Sequence, residues 1–241
     1  ITRRHGFTPI GWLNHLGLLG ERSIIGHGIF LDDHPSTPWH TKNDLALLAD
    51  TGTTVAHCPT VFARRGITLK DVGRYRRAGV NMGVGTDTFP HNMIDEMRLA
   101  IYLARTQADN PRTLNAGELF AAATTGGARA LGRDDIGRLA PHCRADMVMV
   151  DTTIPRMRPG RDPLRSLIYS AGDRAVHTVF VDGQKVVEAG RVLTMDYAAA
   201  ADALHEAQLR VMDKVPQLDW DHRHVDQISP PSLKTGALRT A

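Results

Sequence analysis

The sequence predicts an α/β fold in which short buried strands alternate with helices and run parallel, as in a (β/α) barrel. Three stretches support this. Ser23–Gly28, Thr53–Pro59 and Gly79–Asp87 are each rich in apolar or β-branched residues, and each ends at an ionisable side chain: His27, His57 and Asp87. A loop and a helical pattern follow each one, at similar spacing. Parallel α/β folds collect their catalytic side chains at the carboxyl ends of the strands, so this repetition points to one face of a barrel. A closed barrel needs about eight strands, and about five would then precede Ile1, where the chain opens in what reads as the middle of a helix.

Taken in order, residues 1–20 read as a helix tail and a connection, anchored by Trp12, Leu13, Leu16, Leu18 and Leu19. The Ile24-Ile25 pair runs into Gly26-His27-Gly28 and predicts a strand, followed by a Pro-rich loop over 29–41 that carries Trp39 and His40. Thr41 is the expected cap of a helix through Asp50, which Gly52 ends. The next strand stops at His57-Cys58-Pro59, because proline cannot continue it, and Thr60–Gly66 reads as a loop. A helix is expected from Thr68 to Ala78. Gly79 stops it before the strand over Met82 and Val84, where Gly83 and Gly85 permit close backbone approach. The next helix spans Met93 to about Thr106, with Ile94, Met97, Ala100 and Ile101 on its apolar side. Taken alone, Asp87 suits a cap or a turn as well as chemistry, and His27 suits a structural role.

Composition narrows the class. With 42% hydrophobic and 23% charged residues, the 241-residue chain can bury a substantial core. A net charge of +3 from scattered arginines argues against nucleic acid as a partner. No apolar run approaches a membrane span. Cys58 and Cys143 lack metal-type spacing, and the chain reads as reduced and cytoplasmic.

The ordered motifs Gly26-His27-Gly28, Leu47 through Thr60 with its His57-Cys58-Pro59, Ala78 through Asp87, and Asp95-Glu96-Met97-Arg98-Leu99-Ala100 resemble the amidohydrolase superfamily. The nearest branch is the cytosine-deaminase-like one, with chlorohydrolases and S-adenosylhomocysteine and methylthioadenosine deaminases. The resemblance covers about Ser23 to Thr194. It implies a distorted TIM (β/α)8 barrel of metal-dependent hydrolases, represented here by its last strands (six to eight), plus part of a small β-sandwich. The implied cofactor is one divalent metal ion, zinc first and iron second.

The resemblance makes Asp87 the metal ligand and proton acceptor at the end of the eighth strand. It makes His27 the sixth-strand histidine that contacts water or substrate, and both are the expected catalytic residues. His57 falls in the seventh-strand motif, where a substrate contact and a structural role remain equally open. Phe89 and His91 could meet a ring in the substrate or simply pack their loop. The implied reaction removes an amino, amine or halide group from a small N-heterocyclic compound. The family's first-strand His-x-His pair and fifth-strand histidine have no counterpart in this sequence, so the chain alone is expected to be inactive, and a non-catalytic binding module is the alternative. The loop 60–66 and the turn 88–92 also depart from the family's pattern, which leaves adenosine-type substrates in doubt.

Three regions are expected: 1–135 as the later part of the barrel, 136–195 as part of the composite sandwich, and 196–241 as a helix and mobile tail. Asn115 should cap a helix leading into the glycine-rich 124–132, which lacks the features of a phosphate loop and suits close helix packing. Val176–Val181 and Gln184–Val187 should form a hairpin around Asp182-Gly183. His222 and His224 read as solvated rather than as a ligand pair. Exposed strand edges would favour a homo-oligomer.

Overall fold

The computed structural model describes residues 1–37 and 39–233. The end of the expected tail, 234–241, lies outside the described residues. The chain divides into two compact units, Ile1–Gly190 and the remainder from Arg191.

The first unit opens with α1 (Thr2–His5) and α2 (Pro9–His15), so the expected helix tail is two short helices. Pro9 occupies the first turn of α2, where its missing N–H costs nothing, and Thr8 accepts the Gly11 N–H as cap. Next come β1 (Ile24–Gly26), α3 (Asp44–Asp50), β2 (Thr54–His57), α4 (Pro59–Ala63), α5 (Val72–Arg77), β3 (Met82–Val84) and α6 (Met93–Ala108). The strands form one parallel sheet in the order β1-β2-β3, with Gly26 opposite Ala56 and His57 opposite Val84. Val55 in the central strand is fully buried, and it packs in one core with Leu48, Met82, Ala100, Ile101 and Leu119.

Three helix starts differ from expectation. Thr41 does not cap α3: its hydroxyl donates to Asp32, and the buried Asp32 carboxylate also takes the Asn43 and Asp44 N–H groups. Pro59 does not open a loop. It begins α4, again in the first turn that tolerates proline. Asp71 rather than Thr68 starts α5, accepting the Gly73 N–H.

Asn115 caps α7 (Ala116–Ala121), as expected, and Glu118 completes a reciprocal pair with it. The chain then loosens into a π-helical turn, Ala122–Gly126, before α8 (Gly127–Ala130). Close packing explains Gly126, where a Cβ would lie 2.1 Å from the Met82 carbonyl oxygen of β3, but not Gly127 or Gly132, where a Cβ would meet nothing within 4 Å. Beyond it, β4 (Met147–Val150), α9 (Pro163–Ser166), β5 (Val176–Val181) and β6 (Gln184–Glu188) follow. These strands pair antiparallel in the order β4-β5-β6, and β5 and β6 form the expected hairpin.

The second unit holds β7 (Arg191–Val192), α10 (Tyr197–Leu218) and α11 (Val225–Ile228). Asp196 caps α10, and His224 caps α11 by accepting the Asp226 N–H. His222 meets the Pro216 carbonyl, so neither histidine of the local pair faces the other's partners.

Candidate active site

Parallel register determines which side chains meet. Because Gly26 lies opposite Ala56, His27 leaves β1 at the level of His57, and its N–H still donates to the Ala56 carbonyl at 2.8 Å. Asp87 is not in the same register. His57 pairs with Val84, so Asp87 lies three residues further on (87 − 84) and the chain must turn to bring it back. Gly85 N–H continues the pairing to the His57 carbonyl at 3.0 Å. Thr86 through Thr88 then turn tightly, and Asp87 adopts a left-handed backbone at φ 51°. His27 is also left-handed, at φ 69°. Non-glycine residues avoid this region, and such strain collects at functional sites.

The two turns bring Nε2 of His27 within 3.4 Å of Oδ2 of Asp87. The imidazole is 26% exposed and the carboxyl 50%, so the pair faces solvent from the end of the sheet. The backbone behind His27 is anchored. Gly28 is left-handed as well, and the buried Tyr75 of α5 donates its hydroxyl to the Gly28 carbonyl at 2.6 Å. Burial pushes the Tyr75 phenol up, which keeps it a neutral donor. Asp87 is not the cap of α6: Asn92 takes the Ile94 and Asp95 N–H groups.

The remaining candidates divide. His57 is buried, and burial first and the nearby His27 second lower its pKa to about 4, so it is a neutral imidazole near pH 7. Its Nδ1 has no hydrogen-bond partner among the described residues. Phe89 is 72% exposed in the turn after β3, and His91 pairs through Nδ1 with the Thr86 hydroxyl at 2.9 Å. Among the described residues, neither forms a hydrogen bond or a ring pair with His27 or Asp87.

Three residues of the site escaped the sequence reading. Phe62 of α4 sets its ring edgewise on His27, with centroids 4.5 Å apart, and Phe30 stands edgewise to Phe62 at 6.2 Å. Glu96, 1% exposed in the first turn of α6, accepts the Thr60 N–H of α4 at 3.0 Å. Pro59 was the available signal: read as a first helical residue, it turns the expected loop into a helix carrying Phe62.

The donors at these strand ends do not make a metal centre by themselves. A zinc site takes at least three protein ligands, and among the described residues no group of three or more His, Cys, Asp and Glu side chains is gathered for one. Burial, then the Asp87 and Glu96 charges, push the Cys58 thiol up to about 11, so it is a neutral thiol near pH 7. Asp87 is left as one carboxylate donor beside one imidazole.

Comparison with known proteins identifies the family. Residues 1–186 match the amidohydrolase family. The chain belongs to that family, as its motifs implied. It is 34% identical over 214 residues to a 5'-deoxyadenosine deaminase of Methanothermobacter thermautotrophicus, covering 84% of this chain and 48% of that protein. It is 35% identical over 188 residues to a 5-methylthioadenosine/S-adenosylhomocysteine deaminase of Thermococcus onnurineus, covering 76% of this chain and 42% of that one. Among solved structures, it resembles an adenosine deaminase from Xanthomonas campestris with bound zinc at a TM-score of 0.79 and 32% identity, over 87% of this chain and 47% of that chain. It also resembles the atrazine chlorohydrolase of Arthrobacter aurescens complexed with zinc at a TM-score of 0.76 and 26% identity, over 85% of this chain and 45% of that chain. The chain thus spans about half the length of the relatives it matches. Its family is that of TIM-barrel hydrolases, and its relatives are of deaminase and chlorohydrolase type.

Proposed function

We propose that this chain is the later part of a metal-dependent hydrolase that removes an amino, amine or halide group from a small N-heterocyclic compound, using Asp87 and His27. The observation that carries the proposal is the Asp87–His27 pair, two strained residues meeting at the carboxyl ends of parallel strands. Both side chains can handle protons. The Asp87 carboxylate accepts a proton from the attacking water as the new C–O bond forms, and returns it to the leaving nitrogen as the C–N bond breaks. The His27 imidazole hydrogen-bonds the water or the developing tetrahedral oxygen. Phe89, His91 and His57 complete the proposal as substrate-facing groups, with His57 acting from behind the surface as a neutral ring.

In this reading, 1–135 supplies barrel strands six to eight, 136–195 part of a composite β-sandwich, and 196–241 a terminal helix and tail. Asp87 supplies a single ligand to a divalent ion, zinc or iron, and the other ligands are expected outside this chain. Cytoplasmic location and a homo-oligomer belong to the same proposal. Among the described residues, no helix is long and apolar enough to cross a membrane.

The test is release of ammonia, amine or halide from a panel of N-heterocycles by a protein of the relatives' length that contains this sequence. His27→Gln should lower kcat roughly 10²- to 10⁴-fold, the range of a lost general acid–base or oxyanion contact. Full turnover in that variant would remove His27 from the chemistry. That no three-donor cluster is gathered among the described residues favours a second reading, a module that binds without catalysis. Ligand binding with no turnover by the longer protein would select it.

A further inference from the structure

The His27 ring is oriented without a hydrogen bond on one side. Its Nδ1 is buried and has no partner among the described residues, and Nε2 lies 3.4 Å from Asp87. A ring on a left-handed backbone residue with one free nitrogen needs packing to hold its rotamer. Phe62 supplies it, edge to face at 4.5 Å and 69°.

Phe62 is only as fixed as α4, and α4 is a five-residue helix. Helices this short are not stable alone, and their first N–H groups need acceptors. The residue at the cap position, Cys58, makes no side-chain cap bond. The acceptor comes from another element: Glu96 of α6, 36 positions along the chain, takes the Thr60 N–H at 3.0 Å. A buried carboxylate is costly to desolvate, and here it is set against the positive end of one helix from the first turn of another.

We infer that Glu96 is a positioning residue for His27, capping α4 from a distance and so holding Phe62 against the imidazole. The inference rests on the proposed role of His27, but its test reads the ring itself and needs no turnover.

The 241-residue chain, labelled on histidine, is compared by NMR in wild type and variants, with the His27 ring signals identified from their loss in His27→Gln. Phe62→Leu should shift the His27 ring signals. Glu96→Ala should shift them too, and should speed Thr60 amide exchange roughly five- to tenfold, the equivalent of a lost cap bond. Glu96→Gln retains an acceptor oxygen and should leave the signals near their wild-type position. If Glu96→Ala does not fold, Glu96→Asp, whose carboxyl is one methylene short, takes its place. His27 signals that stay put while Thr60 exchange accelerates would overturn the inference, and so would signals that ignore Phe62→Leu. Failure of the enzyme reading would look different: no turnover by the longer protein, with His27 still responding to both variants.

Discussion

At the scale of single residues, the proposed site depends on two residues that leave their strands in strained conformations. His27 and Asp87 both adopt positive φ, at 69° and 51°, and that is what brings their polar atoms to 3.4 Å. The neighbouring His57 predicts a pH dependence. Its folded pKa, about 4, lies below the ordinary value of 6.5 because burial penalises the charged ring. The unfolded chain therefore binds the extra proton first. Stability from this group is complete above about pH 6.5 and is lost as pH falls through about 4. At about 1.4 kcal/mol per unit, the loss amounts to roughly 3 kcal/mol. Urea titrations between pH 7 and 4 should show that fall, and His57→Phe, which has no proton to bind, should flatten it. An equal fall in the variant would place the acid sensitivity elsewhere.

At the scale of elements, the alternation of strand and helix was legible because it follows local rules: apolar runs broken by glycine, the Asn115 cap, and the Asp182-Gly183 turn joining β5 and β6. What stayed hidden depends on partners remote in sequence. Asp32 caps α3 from twelve residues away and displaces Thr41 from that role, while Glu96 caps α4 from 36 residues away. Neither pairing leaves a periodic trace. Asp87 was legible as a strand-end residue, but its offset of three residues from the His57 level was not, because register belongs to the sheet rather than to one strand.

The junction of the π-helical turn with β3 carries a prediction of its own. Gly126→Ala would place a methyl group 2.1 Å from the Met82 carbonyl oxygen, and backbone must move to relieve it. The variant should lose roughly 1–3 kcal/mol, as overpacked sites do, read as a lower urea midpoint at unchanged slope. Unchanged stability would mean the turn is looser than the geometry shows. By contrast, Gly127→Ala, where nothing lies within 4 Å, should be neutral or slightly stabilising.

At the scale of the whole molecule, the chain spans about half the length of the relatives it matches. The outer edges of β1 and β3 have no strand partner among the described residues, and Ile24 of β1 is 45% exposed. Such edges are prone to pairing, so dilution from high concentration should shift the 241-residue chain to smaller species in ultracentrifugation. A concentration-independent monomer would show that the edges are adequately protected as they stand. The most direct measurement of the central claim is metal content and turnover together, in a protein of the relatives' length carrying Asp87 or Asp87→Asn. The account predicts about one zinc or iron per chain in the parent, hydrolysis of an N-heterocycle, and loss of at least roughly 10²-fold in turnover with weakened metal retention in the variant. Turnover and metal content unchanged by Asp87→Asn would contradict it.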